Sequence, residues 1–270
     1  MNALFRLPPG RRINVPRSIW NGAVSFAGVD VPVKVFGATD PQSIQFRELH
    51  ASDEGEIAHR LVDPDGKEVD RKDVAKGFEV RSGEYVVLTD DEIRAAAAPT
   101  RKTVDIEHFV PAEQIDPDVY DRPYYLAPQD GGEEAYAVLV AALARTGRVG
   151  VGRVVLRSRE QLVAVVEADQ MLRMHTMRFA DELVDPDTLD HPPLRRKPDA
   201  RVRKMAAQLV DGLSAKFQPG RYRDSYRERV LDLVERKAKG EEIDTERAQA
   251  PEPSDDLMAA LEASLKGSKG

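Results

Sequence analysis

Four valines, Val29, Val31, Val33 and Val35, alternate with Asp30, Pro32, Lys34 and Phe36. A period of two puts alternate side chains on opposite faces of an extended strand, so this segment is a strand and not an amphipathic helix. Pro32 has no amide to give to a ladder, which predicts an edge strand or a bulge at this point. Shorter runs of strand character follow at 78–88, 103–110, 123–126, 149–157, 161–167 and 171–179, bounded by Gly, Pro and Asp. Six or seven strands at this spacing predict a barrel or a sandwich.

Helices interrupt the strand pattern where start and stop signals are clear. Thr89 followed by Glu92 is a capping box ahead of a short alanine-rich helix that Pro99 ends. Asp130 is the expected cap of a helix from about Gly131 to Thr146, with Tyr136, Leu139, Val140 and Leu143 on one stripe and Gly147 as its terminator. Beyond His191 the chain turns helical. Val202, Met205, Ala206, Leu209 and Leu213 keep helical spacing, as do Tyr226, Val230, Leu233 and Val234 before Gly240. The closing segment holds an acidic, proline-bearing linker and then Leu257, Leu261 and Leu265 at four-residue steps, a short amphipathic helix.

Charge is distributed unevenly. The net charge of −7 argues against a generic polyanion binder, yet binding depends on the local field. Residues 1–135 carry 16 basic and 25 acidic residues, residues 136–240 carry 21 and 14, and residues 241–270 carry 3 and 8. One basic region therefore lies between two acidic ones. Within it Arg145, Arg148, Arg153, Arg157 and Arg159 fall in fifteen residues without an acid, and Arg195, Arg196, Lys197, Arg201, Arg203 and Lys204 surround Asp199 alone. Arginine suits bidentate contact with phosphate, and the scarcity of aromatics beside these clusters favours a duplex backbone over unpaired bases. The alternative is a solvated strand face followed by a charged helix start.

Enzyme signatures are missing from the sequence. It contains no phosphate-binding glycine loop of the GxxxxGK[ST] or GxGxxG type, no HExxH and no GxSxG, and its five histidines lack metal-ligand spacing. The glycines of GRVGVGR (147–153) lead into a strand, so they are read as points of close backbone approach. Asp105 and Glu107 are read as solvated charges on one strand face. With no cysteine, disulfides and thiolate metal sites are excluded and the reducing cytoplasm is the expected compartment. A mean hydropathy of −0.48 and 32% charged residues leave no stretch of about 18 apolar residues for a membrane span.

Seven segments carry a family resemblance: PRSIWNGAVSFAGVDVPVKVF (16–36), IQFRELH (44–50), KGFEV (76–80), VDIEHFVPAEQIDPDVYDRPYYLAP (104–128), GRVGVGRVVLRSREQLVAV (147–165), LRMHTMRFADEL (172–183) and FQPGRYRDSYRERVLDLV (217–234). In this order they resemble prokaryotic Ku, the DNA-end-binding family of non-homologous end joining. The resemblance implies an α+β protein with a β-barrel core, helical insertions and a C-terminal helical arm that embraces a second subunit. Two subunits would form a ring threaded by a double-stranded DNA end, protect that end and recruit an ATP-dependent DNA ligase, with no cofactor and no catalysis.

The expected divisions are a disordered extension at 1–14, a core at 15–193, an arm at 194–240 and an acidic linker with a partner-binding peptide at 241–270. Val15 stands where family members commonly begin with methionine, and it is the expected native start. Arg148, Arg153, Arg157 and Arg159 with Arg195, Arg196, Lys197, Arg201, Arg203 and Lys204 are the expected phosphate contacts. Leu209, Leu213, Tyr226, Val230 and Leu233 are the expected dimer interface, with packing inside one subunit as the alternative. Leu257, Leu261 and Leu265 are the expected ligase anchors. Some members of the family carry a cysteine pair near 60–69 and others a long lysine-rich tail; both are missing here, so a metal at the first and tail-driven DNA affinity at the second are not expected. The localisation implied is cytoplasmic, at the nucleoid.

Overall fold

A computed structural model describes residues 16–96, 101–192 and 199–243. Expectations for residues 1–14, for Arg195, Arg196 and Lys197, and for Leu257, Leu261 and Leu265 lie outside them. The chain divides into two compact units, Met1–Gln42 with Arg47–Thr188, and Ser43–Phe46 with Leu189–Gly270.

The first unit is built on β1 (Trp20–Phe26), β2 (Val29–Gly37), β3 (Lys76–Arg81), β4 (Glu84–Leu88), β5 (Thr103–Pro111), β6 (Tyr120–Pro128), β7 (Arg148–Leu156), β8 (Arg159–Ala168) and β9 (Met171–Met177). Seven of these close into a barrel in the order β1-β2-β6-β9-β8-β7-β5. The seam is a parallel pairing of β1 with β5, Ala23 to Thr103, Val24 to Val104 and Ser25 to Asp105. Val31, Val33 and Val35 point inward, as their alternation predicted, and meet Val24, Val104, Leu126, Val154, Val163, Leu172 and Met174 in one buried cluster.

Two expectations about these strands are corrected. The run at 78–88 is not a barrel strand. It forms the separate β3–β4 hairpin, and the barrel's remaining strand is β1, which precedes the Val29–Val35 alternation and joins β2 through a turn at Ala27 and Gly28. Pro32 also lies inside the barrel and not on an edge strand, because β2 pairs with both β1 and β6. Opposite it, the Ala23 amide donates away from β2 to the Lys102 carbonyl, so Pro32 and Ala23 form a pair that needs no hydrogen bond. The β2–β6 pairing stops one residue away, at Val33 and Pro128, and the Pro32 carbonyl is met by the Gln129 amide. The missing donor thus falls where the ladder has already ended.

Helix α1 (Asp90–Ala95) shows the expected capping box, with the Glu92 amide donating to Thr89 Oγ1 at 3.2 Å and the Thr89 amide to Glu92 Oε2 at 2.8 Å. Helix α2 (Glu133–Thr146) starts later than expected, with Gly132 at its N-cap position and no side-chain cap, because Gly131 takes a positive φ of 83° that is not helical; the Asp130 carboxylate lies 3.3 Å from Lys34 Nζ. It ends on Gly147, which takes the left-handed conformation (φ 61°) that glycine adopts at least cost. Tyr136, Leu139 and Leu143 are buried in the barrel core. The Tyr136 hydroxyl donates to the Leu126 carbonyl at 2.6 Å and accepts from the Leu172 amide at 2.9 Å, so it takes the place of a ladder bond between paired residues of β6 and β9. Gln129 Nε2 donates to the carbonyls of Gly22 and Val33, both at 2.8 Å, and ties β1 and β2 to the link before α2.

Between β2 and β5 the chain leaves the barrel sheet, and no residue from 38 to 96 is buried. Phe78 is 66% exposed and Tyr85 60%, although both have the side chains of a core. The second unit holds α3 (Ala200–Leu213), capped by Asp199, and α4 (Ser225–Ala238), capped by Asp224. Neither helix has a buried residue.

Replacing Tyr136 with Phe leaves a buried amide and a buried carbonyl short of a partner. We expect a loss of roughly 1–3 kcal/mol in urea unfolding, whereas a loss under about 0.5 kcal/mol would show that the hydroxyl does not join the strands.

Candidate nucleic-acid interface

The structure separates the arginines that the sequence groups together. Arg148 opens β7 and Arg157 follows its end, so at about 3.3 Å per residue the two lie roughly 30 Å apart at opposite ends of the barrel. Arg148 Nη1 donates to the Phe109 carbonyl at 3.3 Å. Arg153 lies midway, held by Glu160 at 2.7 Å and Glu107 at 3.1 Å. Hydrogen bonding and attraction from Glu160, then attraction from Glu107, raise its guanidinium pKa above the usual value. Its charge is therefore locally balanced. Glu107, expected to be a free surface charge, owes this contact to a shift in register between Ile106 and His108 opposite β7. That irregularity has a backbone cause: a Cβ on Gly152 would stand 1.9 Å from the Asp105 carbonyl oxygen, so only glycine admits the approach.

Arg157 and Arg159 differ. Neither makes an ion pair within 4 Å among the described residues, and both line a cavity of about 310 Å³ with Ile19, Trp20, Arg122, Tyr124 and Thr176. Arg157 and Ser158 form the two-residue turn between β7 and β8, with φ of 50° and 65°. Such a turn ordinarily takes Asn-Gly, and holding two other residues in it costs on the order of 1–3 kcal/mol each.

Sequence reasoning missed Arg122 and Arg178. Each is an isolated basic residue in the chain, but the start of β6 and the end of β9 lie at the same barrel end as the β7–β8 turn. Asp121 serves both, at 3.7 Å from each guanidinium. Arg178 also donates to the carbonyls of Asp118 and Tyr120. The signal that could have found them is strand pairing, since opposed strand ends bring distant residues together.

The remaining described candidates lie in the second unit. Arg201, Arg203 and Lys204 occupy the first turns of α3. Of the expected interface residues, Leu209 and Val230 are half-buried, while Leu213 (76%), Tyr226 (61%) and Leu233 are exposed. These helices do not bury their own apolar stripes.

A closed barrel with an arginine-lined mouth, an exported hairpin and an uncovered helical pair defines a β-barrel protein whose working surfaces lie outside its core. Comparison with known proteins agrees: the Ku70/Ku80 beta-barrel domain profile matches residues 25–206. The chain is 36% identical over 252 residues to the non-homologous end joining protein Ku of Solibacter usitatus, covering 93% of this chain and 94% of that protein. Identity is 36% with the Mycobacterium tuberculosis protein of the same name, covering 93% and 95%, and 39% with that of Anaeromyxobacter sp., covering 94% and 86%. This chain belongs to the Ku family.

Removing the Arg153 guanidinium leaves Glu107 and Glu160 facing each other without a counter-charge. The Arg153→Gln variant should melt at a lower temperature than wild type in low salt, and the deficit should shrink at high salt as screening grows. Equal melting in low salt would show that the two ion pairs contribute nothing to the fold.

Proposed function

We propose that this protein is a DNA-end-binding protein of non-homologous end joining, in which two copies form a ring around a duplex and hold it without reading its sequence. The observation that carries this reading is the contrast between a complete barrel core and a set of apolar surfaces with no cover. Phe78, Tyr85 and Val87 on the hairpin, and Leu213, Tyr226 and Leu233 on the helical pair, are all more than a third exposed. A helix of 14 residues is marginal by itself in water, and an isolated two-stranded hairpin is no better. A second copy of the chain supplies the missing cover for both. The relatives named above, matched over nearly their whole length, support the end-joining assignment.

The DNA contacts in this reading are phosphate contacts. Arg157 and Arg159 are the strongest of the barrel candidates because their charge is not spent on a neighbour, and Arg148 and Arg153 are weaker because theirs is engaged. Arg195, Arg196, Lys197, Arg201, Arg203 and Lys204 supply the second basic cluster. The function is architectural: the ring shields the end and brings in an ATP-dependent DNA ligase, with Leu257, Leu261 and Leu265 as anchors in a groove of the ligase. The protein works in the cytoplasm, at the nucleoid. No helix among the described residues is long and apolar enough to cross a membrane. We divide the chain into an extension (1–14), core (15–193), arm (194–240) and recruiting tail (241–270).

Truncation after residue 198 removes both arm helices and should give monomers that no longer retain DNA ends, read by light scattering and by a shift assay on linear duplex. A truncated protein that is still dimeric would overturn the role of the arm. For the full chain, a ring neutralising about 6–10 phosphates should lose roughly 10³–10⁵ in affinity between 50 and 200 mM salt, to the same extent on unrelated sequences. A flat salt response would contradict phosphate contact.

A further inference from the structure

We propose that the arginine-lined barrel mouth, beyond the duplex phosphate contacts given above to Arg157 and Arg159, is a binding site for a phosphate monoester carried on a nucleotide. Its residues come from five strand ends. Trp20 opens β1, Arg122 and Tyr124 lie near the start of β6, Thr176 is near the end of β9, Arg157 follows β7 in the β7–β8 turn, and Arg159 opens β8.

Charge is the first argument. Three guanidinium groups line the cavity against one carboxylate, Asp121, which is itself shared with Arg178. The excess of two positive charges sits on Arg157 and Arg159, which have no carboxylate within 4 Å among the described residues. A phosphate monoester approaches two negative charges at neutral pH, whereas a backbone diester carries one. The monoester is the better match.

Shape is the second argument. The volume of about 310 Å³ falls at the lower end of the range for small-molecule sites, which suits one nucleotide and not a helix. Trp20 and Tyr124 give a base or sugar an aromatic wall, and Ile19 and Leu156 complete the apolar side. Gln161 adds a polar amide. Thr176 is buried, but its hydroxyl is already joined to Asp121 and to the Arg122 backbone, so it braces the wall and is not left to bind.

Backbone conformation places the arginine. The turn holds Arg157 at φ 50°, where glycine would be relaxed and an arginine is not. Ala27 and Asp169 open the β1–β2 and β8–β9 turns at φ 48° and 55°, so the conformation belongs to the tight hairpins of the barrel, and at the β7–β8 turn it sets an arginine at the rim of the cavity.

The monoester has two sources, the phosphorylated terminus of a broken DNA strand or a free nucleotide. Only the first rests on the end-binding function proposed above. Trp20 is the sole tryptophan of the chain, so its fluorescence reports on the cavity without a label. Thymidine 5′-monophosphate should change that fluorescence saturably, while thymidine and the methyl diester of the same nucleotide bind at least tenfold more weakly. The Arg157→Gln/Arg159→Gln variant should lose roughly tenfold or more in affinity for the monophosphate. Arg157→Gly should lose affinity as well, yet unfold at a temperature no lower than wild type, because glycine relaxes the turn.

A hairpin duplex with one open end, bearing either a 5′-phosphate or a 5′-hydroxyl, separates the sources. Tighter binding of the phosphorylated end, lost in the double variant, assigns the site to strand termini. Equal binding of the two ends beside a saturable monophosphate response assigns it to a free nucleotide. A failure to bind any duplex would overturn the end-binding function while the monophosphate titration stays readable. No saturable response to the monophosphate, an equal response to thymidine, or unchanged affinity in both variants would overturn the site.

Discussion

The parallel pairing of β1 with β5 turns a curled sheet into a closed barrel, and the rest of the molecule follows from that closure. A closed sheet has no free edge to offer a partner strand. Its interior is filled by valine, leucine and methionine from the barrel strands and by Tyr136, Leu139 and Leu143 from α2, so it is a packed core. Closure also demands a tight approach at the β5–β7 pairing, which Gly152 permits and a side chain would block. Any surface that recognises another molecule must therefore lie at a barrel mouth, on the outer wall, or on segments sent away from the barrel.

The exported segments are where the chain departs from an ordinary self-contained domain. Fully burying one large apolar side chain stabilises a fold by about 1.5–3 kcal/mol, and the hairpin and helical pair leave several such side chains uncovered. In the homodimer proposed above the same segments would meet their own copies or the partner's barrel, and stability and ring formation would become one event. A ring of that kind would reconcile a net charge of −7 with a polyanionic partner. An enclosed duplex would need few contacts, placed where the local balance is positive, as it is at the strand ends around Arg122, Arg157, Arg159 and Arg178.

The sequence disclosed local rules well and pairings poorly. The alternation at Val31, Val33 and Val35, the capping box of Thr89 and Glu92, and the helix end at Gly147 all depend on neighbours within a few residues, and each appears as expected. Pro32 and the 78–88 run misled because an edge is a property of the whole sheet, and a strand-forming segment does not record which sheet it joins. Arg148 and Arg157 are close in sequence but separated by the length of β7, since an extended chain spends its residues on distance. Arg122 and Arg178 illustrate the converse, separated in sequence and joined at one mouth by antiparallel pairing. Asp130 had two competing uses, a helix cap or a partner for Lys34, and the second depends on a residue 96 positions away.

The central claim is topological, that DNA passes through a closed ring of two chains. The most direct measurement loads the protein on linear duplex, ligates the duplex into a closed circle, and then raises the salt while following the protein left on the DNA. The account predicts that protein loaded before circularisation stays on the circle at salt that strips it from linear duplex, and that it is released when a nuclease cuts the circle. Equal loss from circular and linear DNA at the same salt would contradict a ring.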